Sequence, residues 1–217
     1  MMTDVPIGHV SRPVIDRRHG TTALGWTAGV LIGVFALAAS VRADEPPAPA
    51  QPAEAERTEA DTVRAVASAL TECPNPLAKR ERWSIARVIH EESEQHGYDP
   101  LLITALVQVE SGCAARARGG GAIGLIQLLP STAREVARRA GLPWRGAQML
   151  VEPEANLQIG VRYLRQLEEM FDDPHKAVAA YNLGPAPVMR MSAQRAKRMS
   201  YVRKVMSLYE RLRAQYA

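Results

Sequence analysis

The sequence predicts an all-α domain preceded by an export or anchor segment and a Pro/Ala-rich linker. Past the linker no stretch alternates apolar and polar residues as a half-buried strand would. Apolar residues recur instead at spacings of three and four, and the segments that carry them are punctuated, with Asp-Pro at two of the starts and glycine at several ends. A chain of 217 residues holds one domain of ordinary size with a remainder. The expected divisions are 1–43 for the export or anchor segment, 44–76 for a linker with a short helix, and 77–217 for the folded, functional domain.

The first segment carries Arg12, Arg17, Arg18 and His19 ahead of a run from Gly20 to Val41 that has no charged residue. A basic region followed by an apolar one is the pattern of a secretory signal, and Val41-Arg42-Ala43 offers small residues where a signal peptidase reads. The run is also long enough to remain as a membrane anchor. Either fate gives the same orientation, with the N-terminus in the cytoplasm and the rest exported to the periplasm or cell envelope.

From Asp44 to Glu59 the chain reads DEPPAPAQPAEAERTE, a composition that builds no core and acts as an extended tether. Residues 44–72 hold 7 acidic and 2 basic residues, whereas residues 73–217 hold 21 basic and 14 acidic. The folded part is therefore basic. Its arginines are scattered along helices without interleaved aromatics, and export argues against nucleic acid, so an anionic extracytoplasmic polymer is the expected partner. The two cysteines, Cys73 and Cys113, suit an oxidising compartment; the sequence leaves open whether they pair or stay as two buried thiols.

The elements follow in order. A short helix near Asp61–Leu70 leads into the domain, and the segment ERWSIARVIHEESEQH is a helix stopped by Gly97. Asp99-Pro100 supplies a cap and a first-turn proline for the helix LLITALVQVE, which Ser111-Gly112 ends. Helices over Ser131–Ala140, about Glu154–Phe171, Asp173-Pro174 to Gly184, and about Ser200–Gln215 complete the set.

Three motifs lose to simpler accounts. Gly119-Gly120-Gly121-Ala122-Ile123-Gly124 matches G-x-G-x-x-G, but no strand precedes it, and a flexible glycine-rich loop suffices. His90 and His96 are six apart and leave a helix on different faces, so HEESEQH reads as an exposed polar end and not a zinc helix. Ser111 has no nearby histidine base and no support as a nucleophile.

Glu110 survives that filter. It extends the buried stripe Ile103, Leu106, Val107 at i, i+3, i+4, i+7, while Thr104 and Gln108 fall on the polar side of the same helix. Burial and the negative end of the helix both disfavour its ionised form, which predicts a raised pKa and a general acid. Gln127, in the apolar stretch Gly124-Leu125-Ile126-Gln127-Leu128-Leu129-Pro130, and the group Tyr181-Asn182 before Gly184 suggest that a cleft accompanies it.

The motifs ESG at 110–112, GLIQLLP at 124–130, AYNLG at 180–184 and YVRKV at 201–205 resemble, in order and spacing, the catalytic domain of soluble lytic transglycosylases, which is similar to goose-type lysozyme. The resemblance spans about 83–215. It implies a lysozyme-like α fold that cleaves the MurNAc-GlcNAc β-1,4 bond of peptidoglycan to leave a 1,6-anhydro sugar. It also implies Glu110 as the sole acid/base, with Ser111 and Asn182 positioning sugars, Gln127 binding saccharide or bracing the cleft, Tyr181 lining it and Tyr201 touching Glu110 or the sugar. No metal or cofactor is implied, and a monomer is expected. Ile126 stands where the family usually has methionine. Two rivals remain, a hydrolytic muramidase and a noncatalytic peptidoglycan-binding scaffold.

Overall fold

A computed structural model describes residues 58–217; the basic N-terminal region, the uncharged run and most of the tether lie outside the described residues. In chain order the elements are α1 Glu59–Ala69, a 3-10 turn Leu70–Glu72, α2 Lys79–His96, α3 Pro100–Ser111, β1 Arg118–Gly119, β2 Ala122–Ile123, α4 Pro130–Ala140, a 3-10 turn Ala147–Val151, α5 Pro153–Phe171, α6 Pro174–Leu183, α7 Pro185–Val188, α8 Ala193–Arg198 and α9 Ser200–Tyr216. Among the described residues no helix is long and apolar enough to cross a membrane.

The centre is α3, which buries Leu101, Ile103, Thr104, Ala105, Leu106 and Val107. Helices α1, α2 and α9 pack around it, and α5 joins α2 to α6. The helix starts are as the punctuation predicts. Asp99 Oδ1 accepts the Leu101 N–H at 2.9 Å and Asp173 Oδ1 the Lys176 N–H at 2.8 Å, each satisfying a donor that the first turn leaves open. Gly97, Gly112 and Gly141 end α2, α3 and α4 in the left-handed conformation.

Four expectations change. First, α1 is part of the packed unit and not of the tether: Val63, Val66, Ala67, Ala69 and the following Leu70 are all buried in the common core. Second, α1 covers the side of α3 that the sequence pattern marks as polar. Thr104 is fully buried there, its hydroxyl donating to Pro100 O at 2.8 Å, and Gln108 Nε2 donates to Ala69 O at 2.9 Å.

Third, the glycine-rich loop is an ordered hairpin. Arg118 pairs with Ile123 and Gly119 with Ala122, and the two residues at the turn, Gly120 and Gly121, have φ of 58° and 85°. Only glycine takes two successive positive φ values without strain, the requirement of the tightest hairpin turn. Strands of two residues are too short to leave an alternating pattern in a sequence.

Fourth, the polar end of α2 is not exposed throughout. Ser93 is buried, and Glu92 is buried against Arg162 of α5 at 2.6 Å, so the acidic run supplies an inter-helix ion pair. The structure also settles the cysteines, which form the disulfide Cys73–Cys113.

Gly160 of α5 lies under Ile126 of the loop after the hairpin. A side chain there would collide with Ile126 and come within 3.3 Å of the Tyr181 hydroxyl. Gly160→Ala is therefore expected to destabilise the protein by about 1–3 kcal/mol through overpacking, opposite in sign to the gain that alanine gives over glycine in an open helix. Urea denaturation of the two proteins measures the difference.

Candidate active site

Glu110 lies in the last turn of α3, half-buried, directly beyond the buried stripe of Ile103, Leu106 and Val107. Helix α9 runs against α3 and sets Tyr201, in its first turn, so that the phenol donates a short hydrogen bond to Glu110 Oε1. Oε2 has no hydrogen-bond partner among the described residues. Burial, the largest influence, holds the Glu110 carboxyl above its ordinary value of 4.5; the Tyr201 hydrogen bond and the positive charge of Lys204 pull the other way. The Tyr201 phenol is driven well above its own ordinary value, by burial first and then by the neighbouring Glu110 charge, so it stays a neutral donor.

The hairpin and the loop after it build the second part. Gln127 adopts a left-handed φ of 48°, and its Nε2 donates to Gly124 O at 2.8 Å and Ala117 O at 3.2 Å, closing the loop across the hairpin's base. Tyr181, nearly buried near the end of α6, donates to Ile126 O at 2.9 Å and packs its ring 5.4 Å from that of Tyr163. Gln127, Tyr181 and Asn182 line one hollow of about 230 Å³, together with Leu128, Leu129, Thr132, Tyr163 and the Leu183–Pro185 turn.

Glu110 does not line that hollow. Tyr181 connects the two: it forms part of the wall, and it lies close enough to Glu110 for the carboxylate charge to oppose ionisation of its phenol, already disfavoured by burial. The residues expected at the site thus fall into a Glu110–Tyr201 pair and a Gln127–Tyr181–Asn182 wall. Ser111 joins neither. Its hydroxyl turns back to donate to Val107 O at 3.2 Å within its own helix.

Sequence reasoning missed Asn156. This fully buried amide of α5 donates to Ile123 O and accepts from Ile126 N, both at 3.0 Å, and so pins the loop that Gln127 and Tyr181 share. Its signal was a polar residue at a buried position of α5, Asn156-Leu157 ahead of Gly160-Val161 and Leu164. Gly124 complements it: at φ 90° it leaves room for the Asn156 amide and Leu150 O, which any side chain would strike. Among the described residues no group of three or more His, Cys, Asp or Glu side chains is arranged to hold a metal ion.

With this geometry in hand, the family is decided by its profile, described as the transglycosylase SLT domain, which matches residues 87–203. The chain belongs to that family. It is 48% identical over 98 residues to the endo-type membrane-bound lytic murein transglycosylase A of Klebsiella pneumoniae strain 342, a match covering 43% of this chain and 46% of that protein. It is 38% identical over 90 residues to the soluble lytic murein transglycosylase of Salmonella typhimurium, covering 41% of this chain and 14% of that one. The matches thus span less than half the length of these curated relatives.

Among solved structures, an inactive mutant of the lytic transglycosylase Slt from Pseudomonas aeruginosa superposes with a TM-score of 0.56 at 27% identity, over 70% of this chain and 27% of that one. The 70 kDa soluble lytic transglycosylase of Escherichia coli gives a TM-score of 0.56 at 20% identity, over 72% of this chain and 30% of that one, a likeness of fold alone. The helical, lysozyme-like architecture expected from the sequence is thus the family's.

The raised pKa carries a sign for stability. A carboxyl whose folded pKa exceeds its unfolded one binds more protons in the folded state, so ionisation weakens the fold as pH rises from the unfolded value through the folded one. Glu110→Gln, which removes that ionisation, is expected to gain melting temperature relative to the unmodified protein across this interval, with the difference levelling off above it. Thermal melts of both proteins at a series of pH values measure it; a difference independent of pH would contradict the buried carboxyl.

Proposed function

We propose that the domain is a peptidoglycan lytic transglycosylase in which Glu110 is the only acid/base. The observation that carries this reading is a half-buried carboxyl with a raised pKa, one oxygen held by Tyr201 and the other without a hydrogen-bond partner among the described residues, next to a polar-and-aromatic wall. Protonated Oε2 donates its proton to the glycosidic oxygen between MurNAc and GlcNAc, and the bond from that oxygen to the anomeric carbon breaks. The resulting carboxylate takes the proton of the muramoyl 6-hydroxyl, and that oxygen closes onto the anomeric carbon to give the 1,6-anhydro end. Glycosidases of the usual kind need two carboxylates; here the acetamido group of the substrate takes the place of the second.

The other residues divide the remaining tasks. Tyr201 holds Glu110 Oε1 so that the carboxyl does not rotate away between its two proton transfers. Asn182 contacts sugar at the rim of the hollow, Tyr181 lines it and Gln127 braces its loop. Ser111 positions a sugar through its hydroxyl lone pairs, since its proton is engaged with Val107 O. Between Asp173 and Glu210 the sequence has seven Lys and Arg and no acidic residue, which suits an anionic polymer such as peptidoglycan.

The domain assignments follow: 77–217 carries the catalytic machinery, α1 braces it, and residues 1–43, outside the described residues, export or anchor it in the cell envelope. The protein acts as a monomer, without cofactor or metal.

Two experiments test the reaction. Glu110→Gln is expected to lose at least about two to four decades of lytic rate with an unchanged helical spectrum, the usual span for general acid/base catalysis; near-normal turnover would remove Glu110 from the mechanism. In the unmodified protein, lysis is expected to fall as pH rises through the folded pKa of Glu110, above 4.5. On a muramoyl substrate with an activated aryl leaving group, bond cleavage should lose most of that alkaline decline. Identical declines on both substrates would assign control to another group.

Location has its own test. N-terminal sequencing of the protein from its native host is expected to begin at Asp44 for a cleaved signal, or to find the intact N-terminus in the membrane fraction for an anchor. Full-length protein in the soluble cytoplasmic fraction would contradict both.

A further inference from the structure

The end of α3 is gripped by residues that precede the family match at 87–203. Ala69 O accepts from Gln108 Nε2, Cys73 is bonded to Cys113, and Asn75 Nδ2 donates to Ser111 O at 3.2 Å and Gly112 O at 3.1 Å. The Asn75 backbone N–H adds a bond to Gly112 O at 3.1 Å. Every one of these contacts falls between residues 108 and 113, on either side of Glu110.

The same short segment grips α9. Glu72 accepts from Arg211 Nη1 at 2.5 Å and from the Tyr216 hydroxyl at 2.7 Å. Helix α3 carries Glu110 and α9 carries Tyr201, so one segment ties together the two helices whose side chains form the proposed catalytic pair.

The backbone at the grip is under constraint. Gly112 and Cys113 are both left-handed, with φ of 57° and 72°, and Cys113 has a side chain that disfavours this region. Such a conformation persists only where its surroundings hold it. The fit is close: a Cβ on Gly112 would come 2.9 Å from Asn75 Nδ2.

We infer that residues 69–75 are a positioning brace, in which Asn75 and the Cys73–Cys113 bond fix the end of α3 while Glu72 fixes α9, holding Glu110 against Tyr201. The catalytic consequence rests on the proposed role of Glu110; the positional one does not. The charged and titratable groups that face Glu110 are Tyr201 and Lys204 of α9 and Tyr181 of α6. When the brace is cut, the end of α3 shifts against α9, water reaches more of the carboxyl, and part of the burial that raises its pKa is lost.

The test uses the full chain with Asn75→Ala, the pair Cys73→Ser with Cys113→Ser, and Val66→Ala as a control that weakens the buried face of α1 without touching the brace contacts. Carboxyl carbon NMR of glutamate-labelled protein, with the Glu110 signal identified by its loss in Glu110→Gln, reads the pKa without substrate. The brace variants are expected to stay helical and to titrate Glu110 at lower pH. On peptidoglycan they should lose roughly ten- to a hundredfold in kcat while KM changes by less than about twofold, as misplacement of a catalytic group demands. Val66→Ala should melt earlier with the titration and kcat unchanged. An unchanged Glu110 titration in Asn75→Ala, or an equal shift in Val66→Ala, would overturn the brace. Absence of lysis by the unmodified protein would overturn the proposed reaction alone, since the titration still decides the brace.

Discussion

The hydrogen bond from Tyr201 to Glu110 is the interaction on which the site depends, and it exists because α3 is buried. A helix enclosed by α1, α2 and α9 leaves its last-turn carboxyl only half exposed, with α9 packed beside it. Oε1 therefore takes its hydrogen bond from the phenol that α9 brings to it, and burial keeps the acid form favoured. The cost is local, since the same carboxyl weakens the fold once ionised, and a leucine there would complete the stripe. The proposed chemistry needs a carboxyl that keeps its proton above the ordinary carboxylate range, and burial shifts Glu110 in that direction.

The wall opposite is built by a different device. The chain between the hairpin and α4 forms no helix or strand of its own; backbone bonds such as Gln127 N–H to Gly124 O and Leu128 N–H to Ile123 O satisfy part of it, and side chains satisfy further groups. Asn156 of α5 bonds Ile123 O and Ile126 N–H, Tyr181 of α6 bonds Ile126 O, and the loop's own Gln127 amide bonds Gly124 O and Ala117 O, while Gly124 and Gly160 give the space that these approaches need. Two residues that look like substrate contacts in the sequence, Gln127 and Tyr181, thus also hold the loop. Substituting either changes the shape of the loop.

The sequence was most informative where periodicity and punctuation agree. Asp99-Pro100 and Asp173-Pro174 mark real helix starts, and the stripe ending in Glu110 is buried as its spacing implies. It misled where a partner element changes what counts as a polar face. Thr104 and Gln108 look solvent-facing until α1 is known to lie on them, and the acidic, proline-rich residues before α1 draw the boundary of the tether past it. The hairpin left no trace because two-residue strands have no period. The Glu92–Arg162 pair was hidden by its 70-residue separation, since long-range partners are not legible from one chain. At the site, Glu110 and Tyr201 each lie in a motif, whereas Asn156 lies in none and acts on one from a distance of 30 residues, through Ile126 of the second motif.

The central claim is that one carboxyl serves both proton transfers and that no water is activated at the anomeric carbon. It is tested most directly by digesting purified peptidoglycan in water enriched in oxygen-18 and weighing the muramoyl ends. Anhydro ends that carry no heavy oxygen are expected, because the ring-closing oxygen comes from the sugar itself. Reducing ends with one heavy oxygen each would contradict it and make the enzyme a hydrolase.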